Sequence, residues 1–203
     1  MLDALDAALA QVASAVLVAP PGAGKTTRVP LALIDAPWRS GGRILVLEPR
    51  RLAARGAAGR MAETLGEAIG GRVGLRSRLE TRVSRDTIVE VITEGVFTRM
   101  ILADPALDGI AAVLFDEFHE RSLDADLGLA LALDAQAGLR PELRLLVMSA
   151  TLDGARIADR LASPAAPVIE SEGRAFPVRT EYLGRESTVR IEDQMAAAIQ
   201  RAL

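Results

Sequence analysis

The 203-residue chain contains no cysteine, which excludes disulfides, thiolate metal sites and a cysteine nucleophile. Aromatic residues make up only 3%, so a core must rest on Ala, Leu, Val and Ile, and base-stacking platforms are scarce. No apolar run reaches 18 residues, so no membrane span is expected. Residues 1–11 carry Asp3 and Asp6 and no basic residue, unlike a secretory signal; the cytoplasm is the default compartment. A net charge of −3 gives no global pull towards nucleic acid, so any such case must be local. Histidine occurs once, at His119, and lysine once, at Lys25.

What is present begins with that lysine. The stretch Ala19-Pro20-Pro21-Gly22-Ala23-Gly24-Lys25-Thr26-Thr27 follows an apolar run, Ala15–Val18, and leads into a helical pattern. A strand, a glycine loop and a helix start bring backbone N–H groups and a helix N-terminus onto one polyanion. Lys25 would reach the β- and γ-phosphates and the Thr26 hydroxyl would bind Mg²⁺. Gly22, Gly24, Lys25 and Thr26 fit the strict phosphate-loop pattern, whereas Ala19 stands where it has glycine. Every other basic residue is arginine, and a compact ammonium suits a gap between phosphates better than a planar guanidinium. A Gly/Pro turn beside a chance lysine is the bland alternative, and the flanking strand and helix disfavour it.

Apolar runs alternate with helical patterns along the chain. Strands are expected at Ala15–Val18, Arg43–Leu47, Thr87–Ile92, Ala111–Phe115, Leu143–Met148 and Pro167–Ile169. Helices are expected at the N-terminus (Leu2, Leu5, Leu9, Val12) and over Arg51–Leu65, Ala125–Ala137 and Leu152–Leu161. Near-continuous Val/Ile/Leu strands call for a parallel sheet covered on both faces, hence a doubly wound α/β fold. The helical pattern stops at Ser163–Pro167. Beyond it, Pro177–Leu183 reads as a strand and Ile191–Leu203 as a helix, too little for a domain. The expected organisation is one domain over 1–168 and a linker with the truncated start of a second over 169–203.

The expected strand Ala111–Phe115 runs into Asp116-Glu117-Phe118-His119. Two carboxylates at the carboxyl edge of an α/β sheet lie where ligands bind: the first can hold Mg²⁺ and the second can deprotonate the attacking water. An acidic helix start is the alternative, weakened by the phosphate loop about 90 residues upstream.

These motifs, with Ser149-Ala150-Thr151, stand in the order and spacing of superfamily 2 helicases. The chain resembles the DEAH/DExH-box group, and Leu47-Glu48-Pro49-Arg50-Arg51 with Asp116–Arg121 looks most like the bacterial HrpB-type ATP-dependent helicases. Phe118 replaces the alanine of DEAH. The resemblance covers roughly residues 15–170 and implies a RecA-like P-loop NTPase domain using ATP or another NTP with Mg²⁺. It implies that Gly22, Ala23, Gly24, Lys25, Thr26 and Thr27 hold phosphates and Mg²⁺, and that Asp116 is the metal carboxylate and Glu117 the base. By the same carry-over His119, Ser149 and Thr151 couple nucleotide state to the nucleic acid, and Arg60 aligns with a base-stacking arginine, its alternative being an exposed helix charge. Pro49, Arg50, Thr93, Gly95 and Arg99 match strand-binding motifs, with Arg78 added from its hairpin-like surroundings.

Charge supports a nucleic-acid face independently. Residues 43–60 hold five arginines against Glu48 alone, and residues 72–85 five against Glu80 alone. Such stretches fit a phosphate-tracking surface with sequence-independent contacts, the alternative being solubilising charge. The expected function is ATP-dependent translocation on a single strand, RNA in the first place and DNA as the runner-up, with a second RecA-like domain in cis supplying arginine fingers. A P-loop switch acting on a protein partner and a small-molecule kinase are the other classes; the Ser149-Ala150-Thr151 motif speaks against the kinase.

Overall fold

The structure is a computed structural model that describes residues 1–151, 154–171, 179–184 and 188–202. The chain divides into two units, Met1–Gly173 and Arg174–Leu203.

The first unit is an α/β layer structure around one sheet. Its strands are β1 (Ser14–Val18), β2 (Arg43–Glu48), β3 (Val73–Arg76), β4 (Thr81–Arg82), β5 (Val89–Thr93), β6 (Ile110–Phe115), β7 (Arg144–Ser149) and β8 (Val168–Glu170). Its helices are α1 (Leu2–Gln11), α2 (Lys25–Ala32), α3 (Arg51–Thr64), α4 (Glu94–Ala103), α5 (Leu123–Gly138) and α6 (Gly154–Leu161). The strand order is β4-β3-β5-β2-β6-β7-β1-β8, and every pairing is parallel except β3 with β4.

Both faces of this sheet are covered, which is why its strands read as unbroken apolar runs rather than alternating ones. Val16, Val18, Leu45, Leu47, Val113, Phe115, Leu145 and Val147 pack on one side with Phe97, Ile101, Leu129 and Ala158 of α4, α5 and α6. Their neighbours Ala15, Leu17, Ile44, Val46, Ala112, Leu114, Leu146 and Met148 pack on the other with Leu5, Leu9, Val29, Ala58 and Met61 of α1, α2 and α3. Alanine lets α3 lie close to the strands: Ala54, Ala57, Ala58 and Ala62 are all buried on it. Three of the chain's four phenylalanines form an edge-to-face series, Phe97–Phe115 at 5.9 Å and Phe115–Phe118 at 6.3 Å.

The six expected strands and the helices over 51–65, 125–137 and 152–161 all form, with ends shifted by a residue or two; Leu152 and Asp153 lie outside the described residues. The hairpin-like surroundings expected at Arg78 are the β3–β4 hairpin, although its strands were not delimited, and α4 was not anticipated as an element. The hairpin strands are short and arginine-rich, and α4 opens on Glu94-Gly95, a weak helix start rescued by burial of Val96, Phe97 and Ile101.

In the second unit, α7 (Ile191–Ala202) occupies the expected C-terminal helix, with Leu203 outside the described residues. Of the strand expected at Pro177–Leu183, the described residues show none. Residues 179–184 have no regular structure, and Pro177 and Val178 lie outside the described residues. Among the described residues no strand lies beside 179–184 to complete a ladder.

Candidate nucleotide and nucleic-acid site

Topology sets the motifs in one row. At the carboxyl edge the sequence of strand ends is β5 (Thr93), β2 (Glu48), β6 (Phe115), β7 (Ser149) and β1 (Val18). Segments distant in sequence therefore meet because parallel strands all deliver their following loops to the same edge.

After β1 the chain makes the phosphate loop. Gly22 and Gly24 adopt φ of 79° and 83°, the left-handed region that glycine enters without penalty. Ala23 N–H donates to the Pro20 carbonyl and Thr27 N–H to Gly24, which closes the turn. The N–H groups of Gly22, Gly24, Lys25 and Thr26 donate to no backbone carbonyl among the described residues, leaving four donors for an anion at the start of α2. Lys25 is buried, and its Nζ donates to the carbonyls of Ala19 at 2.5 Å and Pro20 at 3.4 Å. Its ammonium makes no ion pair within 4 Å among the described residues, though its charge reaches Asp116.

Asp116 follows β6 and is 2% exposed. Its Oδ1 accepts the Glu117 N–H at 2.9 Å, while Oδ2 is buried without a hydrogen-bond partner. Burial pushes this carboxyl above its usual range, opposed by the Thr26 hydroxyl and the Glu117 N–H, with Glu117 raising it and Lys25 lowering it to a smaller extent. An orphaned carboxylate oxygen beside a threonine hydroxyl is an oxygen donor pair for a hard divalent cation, so Asp116 and Thr26 fit Mg²⁺. Among the described residues there is no group of three or more His, Asp or Glu that could enclose a metal.

Glu117 sits at φ 47°, left-handed for a non-glycine residue, and Arg121 at φ 51°. Between them a tight turn, Phe118–Glu120, aims Glu117 into a cleft of about 350 Å³ lined by Thr26, Thr27, Glu48, Arg50, Glu117 and Glu120 among others. His119 Nδ1 accepts the Ala150 N–H at 3.3 Å and lies 3.3 Å from Glu117 Oε2. Ser149 Oγ in turn accepts the Thr151 N–H at 3.2 Å. His119, Ser149 and Thr151 are thus brought together, around the backbone of Ala150.

Glu48 was not anticipated as a site residue. It ends β2, is 4% exposed, and its pKa is pushed up to about 8. Burial is the main cause, with Asp116, Glu117 and Glu94 adding and Arg50 opposing. The sequence signals were an acid closing an apolar strand and its place in the Leu47–Arg51 motif.

The arginine-rich stretches are less free than their composition suggests. Arg43 and Arg76 both turn onto Glu90, which is 1% exposed, at 3.4 and 2.5 Å. Arg55 and Arg82 share Glu80, Arg72 pairs with Glu67, and Arg50 with Glu120. Arg51, Arg78, Arg85 and Arg99 are exposed and make no ion pair among the described residues. Pro49 follows β2, while Thr93 caps α4 and Gly95 lies in its first turn, so these three are neighbours across paired strands. Arg60 pairs with Glu63 on the exposed side of α3 and does not line the cleft.

The pattern of the DEAD/DEAH box helicase family matches residues 2–159. This chain belongs to that family. As a DEAD/DEAH box domain it is 52% identical, over its whole length, to the ATP-dependent RNA helicase HrpB of Escherichia coli strain K12, covering 24% of that protein. It is 36% identical over 178 residues to the probable ATP-dependent RNA helicase DHX35 of Homo sapiens, covering 83% of this chain and 25% of the other. A crystal structure of the E. coli DEAH/RHA helicase HrpB matches it with a TM-score of 0.85 at 51% identity, covering 100% of this chain and 25% of that one. A second, of the E. coli DExH-box NTPase HrpB, gives 0.80 at 51% identity over 98% of this chain and 24% of that one. The chain spans about a quarter of the length of these relatives. Among its described residues no helix is long and apolar enough to cross a membrane.

Proposed function

We propose that this chain is the nucleotide-binding RecA-like domain of an ATP-dependent RNA helicase, with residues 1–168 as that domain and 169–203 as a linker and the start of a second. The observation that carries the reading is the row of motif ends at one sheet edge, phosphate loop and acids at one end and Pro49, Thr93 and Gly95 at the other. The four free N–H groups from Gly22 to Thr26 and the ammonium of Lys25 receive the triphosphate. Asp116 and Thr26 would hold Mg²⁺, which when bound neutralises phosphate charge. Glu117, pointed into the cleft, takes the proton of the attacking water. His119 and the Ser149–Thr151 loop respond to what occupies the cleft. The single strand crosses Pro49, Arg50, Thr93, Gly95 and Arg99 through backbone phosphates, with Arg78 on the hairpin as a further contact. The names of the relatives favour RNA. The cytoplasm is the compartment that goes with this substrate.

A second RecA-like domain in cis would supply the arginine fingers, worth roughly 10³–10⁵ in rate. These 203 residues should bind nucleotide weakly, turn over little and unwind nothing alone. The test is fluorescence anisotropy with labelled single-stranded RNA and DNA of matched sequence, with and without Mg²⁺ and a non-hydrolysable ATP analogue, at two salt concentrations. Salt-sensitive binding weakened by Arg50→Ala is expected, with RNA preferred. No binding to either strand, with nucleotide still bound, would favour a switch acting on a protein partner.

A further inference from the structure

Glu94 and Ser122 have no part in the reading above, yet they join its two halves. Glu94 is the first residue of α4, immediately after Thr93, and is only 9% exposed. Its carboxylate accepts a hydrogen bond from the Ser122 hydroxyl. Ser122 caps α5, its Oγ also accepting the Ala125 N–H at 2.9 Å. Only Phe118–Arg121 separate it from Glu117.

That short turn holds left-handed φ at both Glu117 and Arg121, a conformation that persists only when its surroundings hold it. At its start, Phe97 of α4 packs edge-on against Phe115, which packs against Phe118. At its finish, Glu94 of the same helix holds Ser122. Helix α4 therefore grips the acid-bearing turn at both ends, one residue away from Thr93 and next to Gly95. Burial holds the Glu94 carboxyl above its ordinary range, with Asp124 and Asp126 adding and the Ser122 hydroxyl opposing, so an ion pair is not what makes the link.

We propose that Glu94 is a positioning residue: through Ser122 it fixes the strand-facing start of α4 to the turn bearing Asp116 and Glu117, making occupancy of the two sites interdependent. The inference rests on the strand-binding reading of Thr93 and Gly95. A coupling of this kind is a ratio of affinities and is the same whichever ligand binds first.

The experiment measures the dissociation constant of labelled single-stranded RNA with and without Mg²⁺ and the non-hydrolysable ATP analogue, and takes the ratio for each protein. The unaltered chain should show a ratio at least about fivefold from unity. Glu94→Ala should bring it within about twofold of unity. Glu94→Gln, whose amide oxygen still accepts from Ser122, and Ser122→Thr, which keeps the hydroxyl, should restore it. A purely structural staple would lower the melting temperature of Glu94→Ala and leave the ratio alone, and that result overturns the proposal. If Glu94→Ala does not fold, Ser122→Ala carries the test, since it removes the donor at the cost of one helix cap. A ratio near unity in the unaltered chain also overturns it. Absence of any RNA binding would instead overturn the strand reading itself, and this inference with it.

Discussion

The backbone N–H of Ala150 donates to Nδ1 of His119 at 3.3 Å. The bond ties the loop after β7 to the turn after β6, so the only histidine of the chain acts as an acceptor for backbone. In that arrangement Nδ1 carries no proton, and its 3.3 Å approach to Glu117 Oε2 is not a hydrogen bond.

Replacing His119 with alanine removes the acceptor. The Ala150 amide should then exchange with solvent roughly fivefold faster, as for one lost hydrogen bond of about 1 kcal/mol. Hydrogen exchange followed by NMR checks this, and unchanged exchange at Ala150 would show that the bond contributes nothing.

Lys25 sets binding against stability. Its ammonium is buried on two carbonyls, and Asp116 acts on it only from beyond ion-pair distance, a costly placement for a charge. Lys25→Met should weaken binding of an ATP analogue at least tenfold while leaving the melting temperature equal or higher. Calorimetric titration and thermal unfolding on the same sample test both halves; a fall in melting temperature would refute the stability half.

Glu48 makes stability depend on pH. With a folded pKa of about 8 against an ordinary 4.5, the folded state binds a proton that the unfolded state has lost between those values. The contribution of the neutral carboxyl is therefore fully present below pH 4.5 and is lost progressively as pH rises to 8. Glu48→Gln keeps a neutral side chain at every pH. The variant should gain on the parent as pH rises through that window, by up to about 3 kcal/mol near pH 7. Urea unfolding at pH 5, 7 and 8 reads the gap, and a gap that shrinks with pH would contradict the burial assigned to Glu48.

Gly154 opens α6 against β1. A Cβ there would lie 2.6 Å from Val18 Cγ2 and 3.2 Å from Val168 Cγ1. Val18 is buried in the sheet and branched, with little room to yield, whereas Val168 lies exposed on the edge strand β8. Gly154→Ala should cost about 1–3 kcal/mol despite alanine's better helix propensity. Denaturant midpoints decide it, and a stabilised variant would mean that α6 shifts freely.

Much of the nucleotide end was legible in the chain itself. A phosphate loop needs its glycines, lysine and threonine contiguous, because one backbone turn must present all of them to one anion. The same holds for Asp116 and Glu117, and for Ser149 to Thr151. The parallel sheet was legible too, since strands buried on both faces leave unbroken apolar runs such as Ile44–Leu47 and Leu145–Met148.

The proposed strand-binding face was less legible. Composition made residues 43–60 and 72–85 look uniformly basic, but their acids arrive from elsewhere. Glu90 comes from β5 to hold Arg43 and Arg76, and Glu120 from the turn after β6 to hold Arg50. Local windows miss such partners because ion pairs form between side chains that folding brings together, up to 70 residues apart in the case of Arg50 and Glu120.

The sequence by itself thus determined which residues we propose for a triphosphate and that they follow buried strands, because that pattern is local. Only the tertiary structure decided the strand order that sets five motifs side by side, the desolvation of Glu48 next to Asp116, and the bond from Ser122 to Glu94. Each of these depends on which strands pair and how closely α4 and α5 pack. That is settled by the fit of apolar surfaces across the whole sheet, and no single stretch of chain encodes it.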